Sequence, residues 1–164
     1  MAKQAAKQPI ELLGAVVKDK VTGHQGIATS IIYMLSGSVQ AHVDPGVGKD
    51  GKMRDSYAFD IDRLQFIKKG PVAPTPADDT SQITLGTTAK DRITELSGTI
   101  TEKIICLNGC TLAVLTRKAA DKEDKRHLVV DWKRLDLGDS KQVMAPPTTA
   151  PKGGPSRLIE RGRY

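Results

Sequence analysis

A chain of 164 residues has room for one ordinary domain or two small ones, and with 38% hydrophobic and only 4% aromatic residues its cores must rely on Val, Ile and Leu. The formal net charge of +6 sits at the ends: residues 11–140 carry 18 Lys/Arg against 18 Asp/Glu, while residues 1–10 add +2 and residues 141–164 add +4. That neutral centre argues against a nucleic-acid-reading face built on the fold. No apolar run approaches the roughly 18 residues of a membrane-crossing helix, and the polar start Met1–Lys7 lacks the apolar stretch of a secretory signal.

Residues 1–10 are polar and read as an extended N-terminal arm. From Leu12 the pattern turns β: Leu13 to Val17 is a short apolar strand, and Gly23 and Gly26 then bracket a tight connection in which glycine supplies positive φ. Ile27 to Leu35 is rich in β-branched residues and predicts a bent strand. Ser36-Gly37 closes a hairpin onto the alternating Ser38 to Val43, and Asp44 to Asp55, with one proline and three glycines, reads as a mobile loop. Ser56 to Phe59 is a fourth strand, Asp60 to Leu64 a one-turn crossover, and Gln65 to Ile67 a last short strand.

Residues 69–82 contain Pro71, Pro74 and Pro76 and read as a stiff, extended linker. The β pattern then resumes, with Leu85-Gly86 at its start and Asn108-Gly109 as a strong hairpin signal. Cys110 to Leu115 is a strand, Thr116 to Arg126 a charged loop, His127 to Val130 another strand, and Asp131 to Leu135 a second crossover turn. Residues 141–164 return to Pro, Gly and Arg and form a basic C-terminal arm.

The two halves repeat each other. Leu13-Gly14, Lys18-Asp19-Lys20-Val21-Thr22, Gly26, Thr29, Ile32, Leu35 and Gly37 reappear 72 residues later as Leu85-Gly86, Lys90-Asp91-Arg92-Ile93-Thr94, Gly98, Thr101, Ile104, Leu107 and Gly109. Asp60-Ile61-Asp62-Arg63-Leu64 matches Asp131-Trp132-Lys133-Arg134-Leu135 at an offset of 71. Such a period decides the architecture before any single residue does. Five short strands, a glycine turn after the first and a single helical turn before the last are the layout of a small SH3-like barrel. The expected fold is therefore mainly β: barrel repeat 1 over residues 11–68 and barrel repeat 2 over residues 83–140, flanked by the two arms.

Little in the chain points to catalysis. His24, His42 and His127 stand at non-equivalent places in the repeats, and no Ser or Cys has a fixed His–carboxylate neighbourhood, so no enzyme is expected. Cys106 and Cys110 share a face if they lie on one strand and oppose each other if the chain turns at Asn108-Gly109; without a His partner they make a poor zinc site and read as two buried, reduced cysteines. No metal or cofactor is expected. The pairs Asp60/Asp62 and Asp78/Asp79 read as helix caps and linker solvation. The loop Asp44 to Lys52 lacks the Gly-Lys-Ser/Thr ending of a phosphate-binding loop. More informative is the Lys-Asp-Lys/Arg triplet before the first turn of each copy, with an Arg-Leu pair (Arg63-Leu64, Arg134-Leu135) at each crossover. An Arg–Asp pair here closes the barrel mouth, worth about 0.2–1 kcal/mol if exposed; alternatively these charges face a partner, twice.

The stretch Lys18-Asp19-Lys20-Val21-Thr22-Gly23-His24-Gln25-Gly26-Ile27-Ala28-Thr29, followed by Tyr33 and Gly37, resembles the KOW/SH3-like module of ribosomal and transcription-elongation proteins. In texture it is closer to small proteins of tailed bacteriophages that open with Lys-Asp-x-Val-Thr-Gly-x-x-Gly-x-Ala-Thr. The likeness is looser in the second copy, where Glu95-Leu96 stand at the turn entry. His24-Gln25 and Glu95-Leu96-Ser97 also lack the basic residues that RNA-binding modules place there. The phage resemblance implies a virion component, assembled in the host bacterial cytoplasm. The expectation is a head decoration, cement or head-to-tail collar protein, or else a tail or baseplate protein, whose partners are capsid, portal or tail subunits. Its contacts are expected through Arg157, Leu158, Ile159, Arg161, Arg163 and Tyr164 of the C-terminal arm. A nucleic-acid-binding module is the alternative of another class.

Overall fold

A computed structural model describes residues 8–77, 79–117 and 127–138. The fold is mainly β and antiparallel, and among the described residues the only helices are single turns of 3-10 helix. In the first copy the strands are β1 (Ala15–Asp19), β2 (Gln25–Met34), β3 (Val39–Asp44), β4 (Tyr57–Asp60) and β5 (Leu64–Lys69). In the second they are β6 (Thr88–Asp91), β7 (Ser97–Cys106), β8 (Thr111–Thr116), β9 (His127–Asp131) and β10 (Leu135–Asp136). The sequence repeat is a repeat of topology. The neighbour order is β4-β3-β2-β1-β5 in the first copy and β9-β8-β7-β6-β10 in the second.

Each copy follows the same local logic. Period-2 burial places Ala15, Val17 and Asp19 of β1 inward, as it does Ala89 and Asp91 of β6. The long second strand passes into the third through a glycine turn, with φ of +86° at Gly37 and +84° at Gly109. A 3-10 turn, Ile61–Arg63 or Trp132–Arg134, then carries the chain to the last strand, which returns beside the first. Val17, Ala28, Ala41 and Val43 are fully buried in the first copy. In the second, Ile83, Ala89, Ile100, Ala113, Leu115, Val130 and Leu135 form the core, with Leu96, Leu128 and Trp132 packed against it.

The described chain divides into two compact units, one holding residues 8–31 and 39–74, the other residues 32–38 and those from 75 onward. The second unit thus takes in residues of the segment read as linker. Thr75 donates its N–H to the Leu107 carbonyl (3.0 Å), the Thr80 carbonyl accepts from the Lys103 ammonium (3.3 Å), and Thr80 is buried. Other details also differ from the sequence pattern. Pro9–Leu12 is a 3-10 turn that buries Leu12, so the proposed arm of residues 1–10 enters the fold before its end. Asp44 to Asp55 is an irregular hairpin: Val47 bridges Met53, Gly48 donates to the Lys52 carbonyl (2.8 Å) and Arg54 to the Gly46 carbonyl (3.0 Å). Gly26 does not take positive φ; a Cβ there runs into the Asp44 backbone, so the glycine permits a close approach of chains.

Candidate functional site

The feature both copies build in full is a charge clamp at the first turn. In the first unit Asp19, the last residue of β1, is completely buried. Its carboxylate accepts two hydrogen bonds from Arg63, from Nε at 2.9 Å and from Nη2 at 2.7 Å, in the bidentate geometry that suits a guanidinium. Thr22 adds its backbone N–H (2.7 Å) and its hydroxyl (2.6 Å) to the same carboxylate. Two backbone bonds frame the pair: Lys20 donates to the Arg63 carbonyl (3.0 Å) and Gly23 to the Asp19 carbonyl (2.9 Å).

The second unit reproduces this network atom for atom. Asp91 is completely buried and accepts from Arg134 Nε (2.9 Å) and Nη2 (2.6 Å), and from the Thr94 N–H (3.0 Å) and hydroxyl (2.6 Å). Arg92 donates to the Arg134 carbonyl (3.0 Å) and Glu95 to the Asp91 carbonyl (2.8 Å). Burial pushes the Asp19 carboxyl up, but the hydrogen bonds from Arg63 and Thr22 outweigh it and bring the pKa down to about 2. The Arg134 hydrogen bonds, with those of Thr94, hold the Asp91 carboxyl below the usual carboxylate range against the same burial. The expected Asp–Arg pairs are therefore present, as buried four-bond networks rather than exposed ion pairs.

Saturated carboxylates of this kind cannot act as acid, base or cation ligand, because their acceptor capacity is already used. What each turn leaves exposed is its tip: Val21 and Ile93, equivalent residues, are 75% and 71% exposed. The exposed Lys20 and Arg92 stand beside them.

Two of the differences between the turns change backbone conformation or packing. Glu95 occupies the left-handed position (φ +60°) that Gly23 fills (φ +75°) in the first copy. His24 is replaced by Leu96, which joins the second core. His24 instead packs between Tyr57 and Phe59, with both ring centroids 5.4 Å away, and the Arg63 guanidinium lies 5.6 Å from the Phe59 centroid. This cluster was missed from sequence, since only the tertiary fold brings the first turn against β4.

The other candidates resolve as follows. Asp60 does not cap its 3-10 turn and accepts from Gln40 Nε2 (3.0 Å); its counterpart Asp131 does cap, accepting from the Lys133 N–H (2.9 Å). Asp79 accepts from the Ser81 N–H (3.0 Å), and Asp78 lies outside the described residues. Cys106 and Cys110 are thiols opposed across the turn, half-buried rather than buried. An open recess of about 330 Å³ beside the paired β6 and β10 is lined in part by Lys90, Ser97 and Asp136. Among the described residues no three His, Cys, Asp or Glu side chains gather to hold a metal, and no helix is long and apolar enough to cross a membrane. Arg157, Leu158, Ile159, Arg161, Arg163 and Tyr164 all lie outside the described residues.

No protein-family model matches the chain, and neither the curated proteins nor the solved structures compared with it give a match.

Proposed function

We propose that this chain is a non-enzymatic structural component of a tailed-phage particle, built from two SH3-like barrel modules in tandem, and that it binds neighbouring virion subunits. The observation that carries a structural role is the duplicated clamp. Both copies keep the same buried carboxylate, guanidinium and threonine, and use these groups to hold the shape of the turn. A scaffold needs that investment, whereas a catalytic centre needs polar groups left available for substrate. The phage setting rests on the opening motif Lys18 to Thr29, and its place in the particle is a head decoration, cement or collar position.

In this reading the modules supply rigid, neutral bodies and the basic ends of the chain supply attachment. Residues 141–164 carry five Lys/Arg against one Glu, a composition suited to an acidic neighbouring surface. A segment that orders on binding adds contact area without a core of its own. The deciding experiment deletes residues 146–164. The modules are expected to unfold at an unchanged urea midpoint, while incorporation into particles is lost. Normal incorporation of the truncated chain sinks the proposal. A strong affinity of the intact chain for DNA or RNA at about 50 mM salt, falling steeply as salt rises, points instead to the nucleic-acid-binding class.

A further inference from the structure

Outside the clamps, one pair of reactive groups is placed face to face by the fold. Cys106 ends β7 and Cys110 immediately precedes β8, so that only Leu107, Asn108 and Gly109 separate them. Cys106 donates its N–H to the Cys110 carbonyl (2.9 Å), and Gly109, at φ +84°, donates to the Cys106 carbonyl (3.0 Å). The next pair outward, Ile105 and Thr111, is in direct register. The two cysteines therefore form the closing pair of a three-residue hairpin loop with a glycine bulge.

Opposed residues of a hydrogen-bonded antiparallel pair have Cα atoms about 5.5 Å apart and side chains on one face. That separation falls inside the roughly 4.4–6.8 Å span that a disulfide bridges. Both residues are half-buried, so a small oxidant reaches them. Asp131 faces the pair from β9, with its Oδ2 3.6 Å from Cys110 Sγ. The repeat does not explain the pair, because Cys106 and Cys110 stand where the first copy has Met34 and Ser38.

We propose that Cys106 and Cys110 are a reversible redox site that closes to an intramolecular disulfide with a low-molecular-weight disulfide such as oxidised glutathione. The Cys106 thiolate attacks one sulfur of the oxidant. The oxidant's S–S bond breaks, one glutathione thiolate leaves, and Cys106 carries a mixed disulfide. Cys110 then gives its proton to water past the Asp131 carboxylate and attacks Cys106 Sγ. The Cys106–Cys110 bond forms and the second glutathione departs as thiolate. The protein loses two electrons and two protons, and the oxidant is reduced to two thiols. Burial, Asp131 and the neighbouring Cys106 push the Cys110 thiol up, which lowers its thiolate fraction. A loop of three residues gains little chain-entropy stabilisation from closure, so the bond is readily reduced again.

The test incubates the full chain with excess oxidised glutathione, then counts thiols and measures the intact mass. Both thiols should disappear together, leaving a monomer lighter by two hydrogens, and dithiothreitol should restore both. Cys110→Ser should stop at a single glutathione adduct on Cys106. A final product carrying glutathione, a dimer linked through disulfides, or thiols that persist in excess oxidant each overturns the proposal. The measurement on the unaltered chain decides the matter even if the variant folds poorly.

Discussion

Asp19 and Asp91 show how far burial changes the meaning of one charge pair. An exposed Asp–Arg contact contributes at most about 1 kcal/mol, but a buried carboxylate that loses its partners, or a guanidinium that loses its carboxylate, costs about 3–5 kcal/mol. Arg63 keeps 17% of its side chain exposed and recovers some hydration when stranded, so Asp19→Ala should destabilise the first unit by about 3 kcal/mol, read as a lower urea midpoint. The pH dependence follows from the same network. The folded-state pKa of Asp19, about 2, lies below the ordinary value of 3.8. Its stabilising contribution is therefore complete above about pH 5 and is lost as pH falls through 2. Asp91 is shifted in the same direction. Thermal melts taken from pH 7 to pH 2 should hold level to about pH 5 and then fall. In Asp19→Ala that fall should be shallower, since one of its sources is gone. The Asp–Arg pairing was legible because both partners recur at fixed places in each copy. Its depth was not, because burial is a property of strands that pack only in three dimensions. Thr22 and Thr94 were legible in principle, standing three residues after the aspartate in both copies.

At the scale of elements, most strands were visible as β-branched runs punctuated by glycine, and the turns at Gly37 and Gly109 fall where the sequence placed them. Edges were harder. Pro9 and Ile10 looked like arm, yet they open a 3-10 turn that satisfies backbone groups locally and buries Leu12. The hairpin in Asp44 to Asp55 was hidden because its glycine content resembles that of an unpaired loop. Gly26 and Gly98, equivalent in the repeat, acquire a reason the sequence could not supply: a Cβ at Gly98 comes within 2.9 Å of the Thr116 carbonyl oxygen, as one at Gly26 meets Asp44. These glycines let the second strand cross close to the end of the third. Gly98→Ala should therefore cost about 1–3 kcal/mol through overpacking against backbone, measured as a lower urea midpoint for the second unit. Gly51→Ala is a poor control, because its φ of +74° adds strain although the space around it is open.

For the whole molecule, the repeat was the most legible feature, since an offset of 71–72 residues runs through turn, strand and crossover alike. Charge was equally legible, and it separates a neutral repeated body from basic ends. Partnership was not legible in the same way, because a contact surface is defined by its complement as much as by its own residues. The repeated turn tips carry Val21 and Ile93 outward in both copies. The substitutions that isolate the modules from the ends thus answer different questions: Asp19→Ala and Gly98→Ala report on the bodies, and removal of residues 146–164 reports on attachment.

The clamp also has a mechanical consequence. In the first unit β1 and β5 run antiparallel, with Ala15 opposite Lys69 at one end and Asp19 opposite Leu64 at the other. The chain enters and leaves this strand pair at the Ala15–Lys69 end, while the Asp19–Arg63 network sits at the far end. A tension applied through the chain on either side of the module peels the two strands apart from the entry end, one hydrogen-bonded pair after another. Along this ladder the rupture reaches the buried charges last, so their network lies where a load arrives only after the other pairs of the ladder have parted.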